Sequence, residues 1–218
     1  MTHQELFDLF EANADSERAA GMSAYMRGQF PFLGLSTPQR AELSRAFLTE
    51  ARRAAGVDWG FVDRCWGRDE REFQYLAVAY LRVVQRRLSP ADVPHLRRLA
   101  VTKSWWDTID GLDRIVGTVA LAFPEVNEVL LAWSVDEDFW LRRIAIDHQR
   151  HRKDKTDTGL LERVIVNNLG VKEFFVTKAI GWSLRDYSKT DPAWVRAFIE
   201  RHRDQMAPLS IREASKYL

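Results

Sequence analysis

Signals for the start of a helix recur from one end of this chain to the other, and they constrain its fold more than any other feature. Thr2 with Glu5 is a capping-box pattern, and Ser89-Pro90 is a capping residue followed by proline. Similar starts occur at Thr37-Pro38, Ser104 and Asp191-Pro192. Apolar residues follow each start at a spacing near 3.6, whereas the alternation typical of strands is nearly absent. The pattern predicts an all-α protein.

The same periodicity predicts where the helices lie. The ranges are 2–13, 16–28, 38–54, 58–66, 69–87, 90–101, 104–122, 124–133, 136–152, 157–169, 172–188, 192–203 and 210–218. Short connections favour antiparallel packing of successive helices, and helix pairs recur at about the spacing of helical repeats. We therefore expect one domain over residues 1–218, a degenerate HEAT-like solenoid with a concave groove. A globular helical bundle is the alternative.

Composition excludes several classes of protein. The 218 residues are 46% hydrophobic, which argues against disorder. With 32 basic and 31 acidic residues the formal charge is +1, so any nucleic-acid-binding surface must come from local clustering of basic residues. The single cysteine, Cys65, excludes an intrachain disulfide framework and a cysteine-rich zinc site. The N-terminus does not resemble a signal peptide, and we expect a cytoplasmic protein.

Two adjacent tryptophans in the segment Val101 to Asp110 form the first candidate site. A helix here would place Trp105 on the apolar stripe that continues at Ile109, while Trp106 would be rotated by about 100° from it. Asp110 follows Trp106 by one helical turn, so the two side chains would be neighbours. An aromatic face beside a carboxylate suits a cationic partner.

A second candidate is Arg143, which lies outside the apolar stripe of its segment. Trp140 and Leu141 belong to that stripe, whereas Arg143 shares another face with Asp147 and Arg150. A planar guanidinium on that face could clamp a phosphate. The alternative is an ordinary surface arginine paired with Asp147.

Trp182 and the Thr37 region are further candidates. Lys178 and Arg185 flank Trp182 at helical spacing, which suggests a platform that stacks against a nucleic-acid backbone; a core tryptophan is the alternative. Free backbone amides behind Thr37, with Arg40 nearby, would bind a phosphate, unless Thr37 only caps a helix.

Other patterns are weaker. His148 and His151 are three residues apart, but without a third ligand they indicate a surface feature and not a metal site. Asp107, Asp110 and Asp113 lie on one predicted helix, so they do not flank a bond from two sides as glycosidase carboxylates do. We expect neither a metal nor a cofactor.

The chain resembles the AlkD family of bacterial DNA alkylation repair glycosylases over almost its whole length. The most specific block is Thr102 to Asp107, Thr-Lys-Ser-Trp-Trp-Asp. The resemblance is carried by Tyr25-Met26, Phe32 to Pro38, Glu70 to Gln74, Val101 to Asp110, Trp140-Leu141 with Arg143, Lys172 to Trp182, Leu184-Arg185, Ala207 to Ser210 and Arg212 to Ala214. Arg142 and Ile211 depart from the family's more typical glutamine and lysine.

The resemblance implies hydrolysis of the N-glycosidic bond of purines alkylated at N3 or N7 in duplex DNA, without base flipping. Trp106, Asp110 and Trp182 match the family's sugar-facing catalytic residues, and Arg143 matches its backbone-contacting arginine. The further DNA-binding residues that we expect are Tyr25, Thr37, Arg40, Lys103, Arg142, Lys178 and Arg185. The implied protein is a monomer that acts on alkylated double-stranded DNA.

Two other functions remain open. A non-catalytic HEAT-like module could recognise distorted or branched DNA, and a helical scaffold could have no DNA role at all. Basic residues gathered on the concave face would favour DNA binding over the scaffold. Asp110 open to a DNA backbone would favour the enzyme over the binding module.

Overall fold

The computed structural model describes residues 1–218 as thirteen α-helices and four 3-10 helices, with no β-strand. The α-helices are α1 (His3–Ala12), α2 (Ser16–Tyr25), α3 (Thr37–Arg53), α4 (Trp59–Gly67), α5 (Arg71–Val84), α6 (Val93–Ala100), α7 (Trp106–Ala122), α8 (Val126–Trp133), α9 (Phe139–Asp147), α10 (Thr158–Val166), α11 (Phe174–Tyr187), α12 (Pro192–His202) and α13 (Pro208–Ala214). Each corresponds to one predicted helix, so the all-α class is confirmed. None of these helices combines the length and the apolar character that crossing a membrane requires.

The predicted capping signals are mostly confirmed. Thr2 and Glu5 form a reciprocal capping box at the start of α1. Asp191 accepts a hydrogen bond from the backbone N–H of Trp194 at the start of α12. The prediction for α3 is wrong by one residue, because Ser36 is the cap and Thr37 is already helical. A proline can follow either residue closely, so the sequence alone does not separate the two caps.

The chain divides into two compact units, residues 1–88 and 89–218. In the first unit, α1 packs against α3, and α3 and α4 pack against α5. Its core is rich in aromatic side chains, with Phe10, Phe61 and Phe73 fully buried. The buried carboxylate of Glu72 accepts hydrogen bonds from three successive backbone amides, those of residues 33 to 35, and this fixes the loop before α3.

In the second unit, alternate helices lie side by side: α7 packs against α9, α9 against α11, and α11 against α13. α8 packs against both α9 and α10. This alternation is that of a helical-repeat fold. It places α9 between α7 and α11, so that α9 is covered on both sides.

Two glycines allow neighbouring helices of this row to approach closely. A Cβ at Gly117 would lie 2.1 Å from the carbonyl oxygen of His148, and a Cβ at Gly181 would lie 2.5 Å from the Cβ of Glu213. Both helices of each pair would have to move apart to admit alanine.

The prediction of a single domain over residues 1–218 stays a prediction.

Candidate functional site

Trp106 and Asp110 lie at the start of α7, as the sequence predicted. Trp106 is the first residue of the helix and Asp110 follows one turn later; both side chains are partly buried. The prediction that Trp105 also belongs to the helix is wrong. Trp105 is the N-cap residue, with an extended backbone at φ −159° and ψ 159°, and no side chain caps the helix there.

Tertiary packing explains the conformation of Trp105. Its ring lies 5.9 Å from that of Trp140 and 5.4 Å from that of Phe175, both in edge-on arrangements. These contacts with α9 and α11 hold Trp105 in an aromatic cluster and leave Trp106 to begin the helix. Ser104, which was expected to be the cap, instead donates its hydroxyl to the carbonyl of Ala100.

Arg143 is joined to Asp110 by a bidentate interaction. Its Nε and Nη2 donate to Asp110 Oδ1 at 2.9 and 2.7 Å, and its Nη1 donates to the carbonyl oxygen of Phe175 at 2.7 Å. Arg143 is not the ordinary surface arginine of the alternative interpretation, because only 1% of it is exposed. The sequence separates the faces of α9 but cannot show that α7 and α11 cover both sides. The Asp110 side chain remains 21% exposed.

Trp182, on α11, is surrounded by four cationic side chains. Arg143, Arg150, Lys178 and Arg185 place their charged groups 5.1 to 5.8 Å from its ring. Cations at this distance interact favourably with the ring's π face. Trp182 is only partly buried, so it is not the core tryptophan that the alternative interpretation required. Arg143 therefore contacts both Asp110 and Trp182.

Two further carboxylates lie behind Asp110. Asp113 and Asp147 are each 1% exposed, and ligand oxygens of Asp110, Asp113 and Asp147 come within 4.8 Å of one another. Burial raises the pKa of Asp147 to about 6 and raises the pKa of Asp113 well above its usual range. Three carboxylates at this spacing could hold a metal ion, but Arg143 and Arg150 already bring positive charge to them.

Lys178 and Arg185 lie on the α11 face that carries Trp182. Arg185 Nη1 donates to Glu213 Oε2 at 2.7 Å, and Lys216 donates to both oxygens of the same carboxylate. The hydrogen bond from Lys216 holds the pKa of Glu213 below its usual value, with burial acting against it. The Glu213 carboxylate thus fixes Arg185 beside Trp182.

The remaining candidates of the second unit are Arg142 and Lys103. Arg142 Nε donates to Asn168 Oδ1 at 2.8 Å, so Arg142 is directed toward the turn after α10 and not toward Trp182. Lys103 is partly buried in the turn before Trp105 and has a φ of 50°, in the left-handed region. Few residues other than glycine and asparagine adopt this conformation without strain.

Three candidates lie in the first unit. Tyr25 is 73% exposed at the end of α2. Arg40 donates to the carbonyl of Leu35 and to Thr37 Oγ1, and its guanidinium lies 4.6 Å from the ring of Tyr75. These bonds fix Arg40 beside the first turn of α3.

The interpretation of His148 as a surface residue is wrong. His148 is 2% exposed, and its Nδ1 lies 2.7 Å from the carbonyl of Ala145, to which it donates. Burial lowers the pKa of His148 to about 3, so the ring is neutral. His151 is exposed, as expected, and its ring lies 3.4 Å from Asp186.

Comparison with known proteins assigns the family. A family model described as "DNA alkylation repair enzyme" matches residues 7–218. The chain belongs to the DNA alkylation repair enzyme family. This membership supports a role in the repair of alkylated DNA and confirms the resemblance seen in the sequence.

Two solved structures are similar to this repair-family chain. A "predicted DNA alkylation repair enzyme" from Enterococcus faecalis shares 35% sequence identity with a TM-score of 0.87, covering 94% of this chain and 96% of that one. The structure of smu.31 from Streptococcus mutans UA159 shares 17% identity with a TM-score of 0.61, covering 82% and 97%, and supports the fold alone. No protein of curated function matches the sequence.

Two features of this candidate site were missed in the sequence. Glu213 is distant from Arg185 along the chain, and no local pattern predicts their contact. The sequence did place Arg143, Asp147 and Arg150 on one helical face, but their burial depends on the neighbouring helices. The i, i+4 spacing of Arg143 and Asp147 was the available signal.

Proposed function

We propose that this chain is a monofunctional DNA glycosylase that acts as a monomer. Its substrates would be purines alkylated at N3 or N7 in duplex DNA, and it would hydrolyse their N-glycosidic bond. One observation carries the proposal: the partly exposed Asp110 is fixed through one oxygen by the buried Arg143, whose guanidinium lies 5.3 Å from the ring of Trp182. A fixed anion beside an aromatic face suits a sugar that becomes cationic.

The leaving group needs no general acid. A purine alkylated at N3 or N7 already carries a positive charge, so it departs with the bonding electrons as a neutral base. The positive charge moves to the deoxyribose, which becomes an oxocarbenium-like cation. Selectivity would then come largely from the lability of the lesion, and the base could stay stacked in the duplex.

Asp110 would stabilise the cationic sugar and accept a proton from the water that adds to C1′. Both donors of Arg143 bind Oδ1, so Oδ2 lies outside this bidentate contact and is the oxygen suited to that role. Trp106 and Trp182 would present their π faces to the sugar, an attraction that grows with its positive charge. Losing one such electrostatic contribution typically costs about 3 kcal/mol, or roughly a hundredfold in rate.

The cations around Trp182 would bind the flanking phosphates. Lys178 and Arg185 are the best placed, since both lie within 5.8 Å of the Trp182 ring and both are partly exposed. Such local clustering provides a DNA-binding surface on a protein whose formal charge is only +1. Tyr25, Thr37, Arg40, Lys103 and Arg142 remain proposed contacts to the DNA backbone.

The test is base release from methylated duplex DNA. The wild-type protein should release 7-methylguanine or 3-methyladenine, and Asp110→Asn should reduce the single-turnover rate at least about a hundredfold. Asparagine keeps an acceptor for Arg143, so DNA affinity should change less than about threefold. Asp136→Asn is the matched control, because Asp136 pairs with Arg97 away from Trp182. Tight DNA binding without release above the spontaneous rate would show a non-catalytic DNA-binding module instead.

A further inference from the structure

The buried carboxylate of Asp147 has no hydrogen bond. Neither of its oxygens has a hydrogen-bond partner, although the residue is only 1% exposed. Its nearest charged neighbours are two guanidinium groups: Oδ2 lies 3.8 Å from Arg143 Nη2 and 3.9 Å from Arg150 Nη1. Burying a carboxylate in this way is costly, and hydrogen bonds do not offset the cost. What Asp147 contributes at this position is its negative charge.

The charges around Asp110 show what the negative charge of Asp147 does. Arg143 holds Asp110 with two hydrogen bonds, but its positive charge also cancels most of the attraction of Asp110 for a cation. Arg150 adds a second positive charge, 5.1 Å from the Trp182 ring. Burial raises the pKa of Asp113 and favours its neutral, protonated form, so Asp110 and Asp147 are left to balance the two guanidiniums. Without Asp147, the two guanidiniums would outnumber Asp110 and the site would repel a cationic sugar.

We infer that Asp147 is a positioning residue, whose buried charge lets Arg143 fix Asp110 without cancelling the attraction of Asp110 for a cationic deoxyribose. This role of Asp147 in catalysis rests on the proposed glycosylase function. The role predicts that the site prefers a positively charged group at the position of the sugar. That preference can be measured by binding, without any turnover.

The experiment compares two duplexes that differ only in charge. One carries a protonated pyrrolidine in place of a deoxyribose, and the other carries an uncharged tetrahydrofuran. The wild-type protein should bind the pyrrolidine duplex more tightly, and Asp147→Asn should reduce the ratio of the two affinities about tenfold. The rate of 7-methylguanine release should fall in parallel. The control variant Asp136→Asn should leave the ratio unchanged.

Arg150→Gln provides a test of opposite sign. It removes one positive charge from the same group, so the preference for the pyrrolidine duplex should rise severalfold, even if affinity for both duplexes falls. Affinity lost through phosphate contacts is shared by the two duplexes and cancels in the ratio. A change in the same direction for Asp147→Asn and Arg150→Gln would overturn the inference.

The wild-type protein offers a test that needs no variant. The charged groups facing Asp147 are Asp110 and Asp113 from α7, Arg143 from its own helix, Arg150 just beyond it, and Asp186 from α11. Burial raises the pKa of Asp147 to about 6, so the preference for the pyrrolidine duplex should weaken as the pH falls below that value. Asp147→Asn should lack this pH dependence.

The outcomes separate the two proposals. A purely structural role would lower the thermal stability of Asp147→Asn and leave its affinity ratio and pH profile unchanged, and that result would overturn the inference. If Asp147→Asn does not fold, the wild-type pH dependence and Arg150→Gln decide. A wild-type protein that prefers the pyrrolidine duplex but releases no base would refute the glycosylase proposal and leave the role of Asp147 standing.

Discussion

Arg143 binds a single oxygen of Asp110 through both Nε and Nη2, at 2.9 and 2.7 Å. Its third donor, Nη1, binds the carbonyl oxygen of Phe175. One guanidinium thereby joins α7, α9 and α11, and it lies 5.3 Å from the ring of Trp182. The orientation of Asp110 depends on the planar, forked shape of that group.

Replacing Arg143 by lysine should therefore reduce catalysis although the charge is kept. An ammonium group cannot reproduce two bonds that converge on Oδ1 from different nitrogens and a third to Phe175, so Asp110 would lose its fixed position. Misplacement of about 1 Å can cost up to a hundredfold in rate, and we expect a loss of at least about tenfold. Single-turnover release of 7-methylguanine measures it. Arg97→Lys is the control, and equal rates for Arg143→Lys and wild type would contradict the role of the guanidinium geometry.

Asp113→Asn should stabilise the protein at neutral pH. Asp113 is 1% exposed and one of its oxygens has no hydrogen-bond partner. Burial, followed by repulsion from Asp147 and Asp110, raises the pKa of Asp113 in the folded state. The folded protein then keeps a proton that the unfolded chain loses near pH 4, so Asp113 reduces stability as the pH rises above that value.

Asparagine does not titrate, so the stability difference between Asp113→Asn and wild type should grow from pH 4 to pH 7. The maximum slope is about 1.4 kcal/mol for each pH unit. Urea unfolding at several pH values measures this difference. A difference that stays constant, or that shrinks as the pH rises, would show that Asp113 is ionised in the folded protein.

The sequence predicted the helices well because their signals are local. Caps such as Thr2 and Asp191, together with a 3.6-residue period, depend only on neighbouring residues. Trp105 shows the limit of that reasoning. Its pattern fits a helix, but its contacts with Trp140 and Phe175 on distant helices hold it in an extended conformation.

The candidate site was predictable in its residue types more than in its environment. Trp106 and Asp110 are one turn apart on a single helix, so their proximity could be inferred from spacing. The burial of Arg143 and His148 could not, since it is produced by helices packed on both sides of α9. A periodic pattern identifies the faces of one helix and does not show how many of them are covered.

Substitution of Lys103 should change both the stability of the protein and its affinity for DNA. Its φ of 50° is a conformation that glycine adopts without strain and other residues adopt at a cost of roughly 1–2 kcal/mol. Lys103→Gly should therefore be more stable than Lys103→Ala by about 1 kcal/mol, because alanine retains the strain. Thermal unfolding of the two variants measures this difference, and equal stability would contradict the strain at Lys103.

Both Lys103 variants should bind duplex DNA more weakly than wild type, and to a similar extent. If Lys103 contacts a phosphate, the slope of log affinity against log salt should fall by about 1 in each variant. Fluorescence anisotropy over a range of salt concentrations gives the slope. An unchanged slope would remove Lys103 from the proposed DNA contacts.

Gly181→Ala should destabilise the packing that supports Trp182. A Cβ at this position would lie 2.5 Å from the Cβ of Glu213 and 3.0 Å from the carbonyl oxygen of Ser210, and neither is the flexible end of a side chain. α11 and α13 would have to separate, at a cost of about 1–3 kcal/mol. The separation would also strain the bond between Arg185 and Glu213, so DNA affinity should fall together with stability.

Gly21→Ala is the matched control for this substitution. Gly21 lies within α2, and a Cβ there would have no atom within 4 Å, so alanine should be neutral or stabilise the helix by up to about 1 kcal/mol. Calorimetry should show a lower melting temperature for Gly181→Ala, by roughly 2–4 °C per kcal/mol for a protein of this size. If Gly181→Ala melts at the same temperature as Gly21→Ala, then α11 and α13 do not pack as closely as the structure places them.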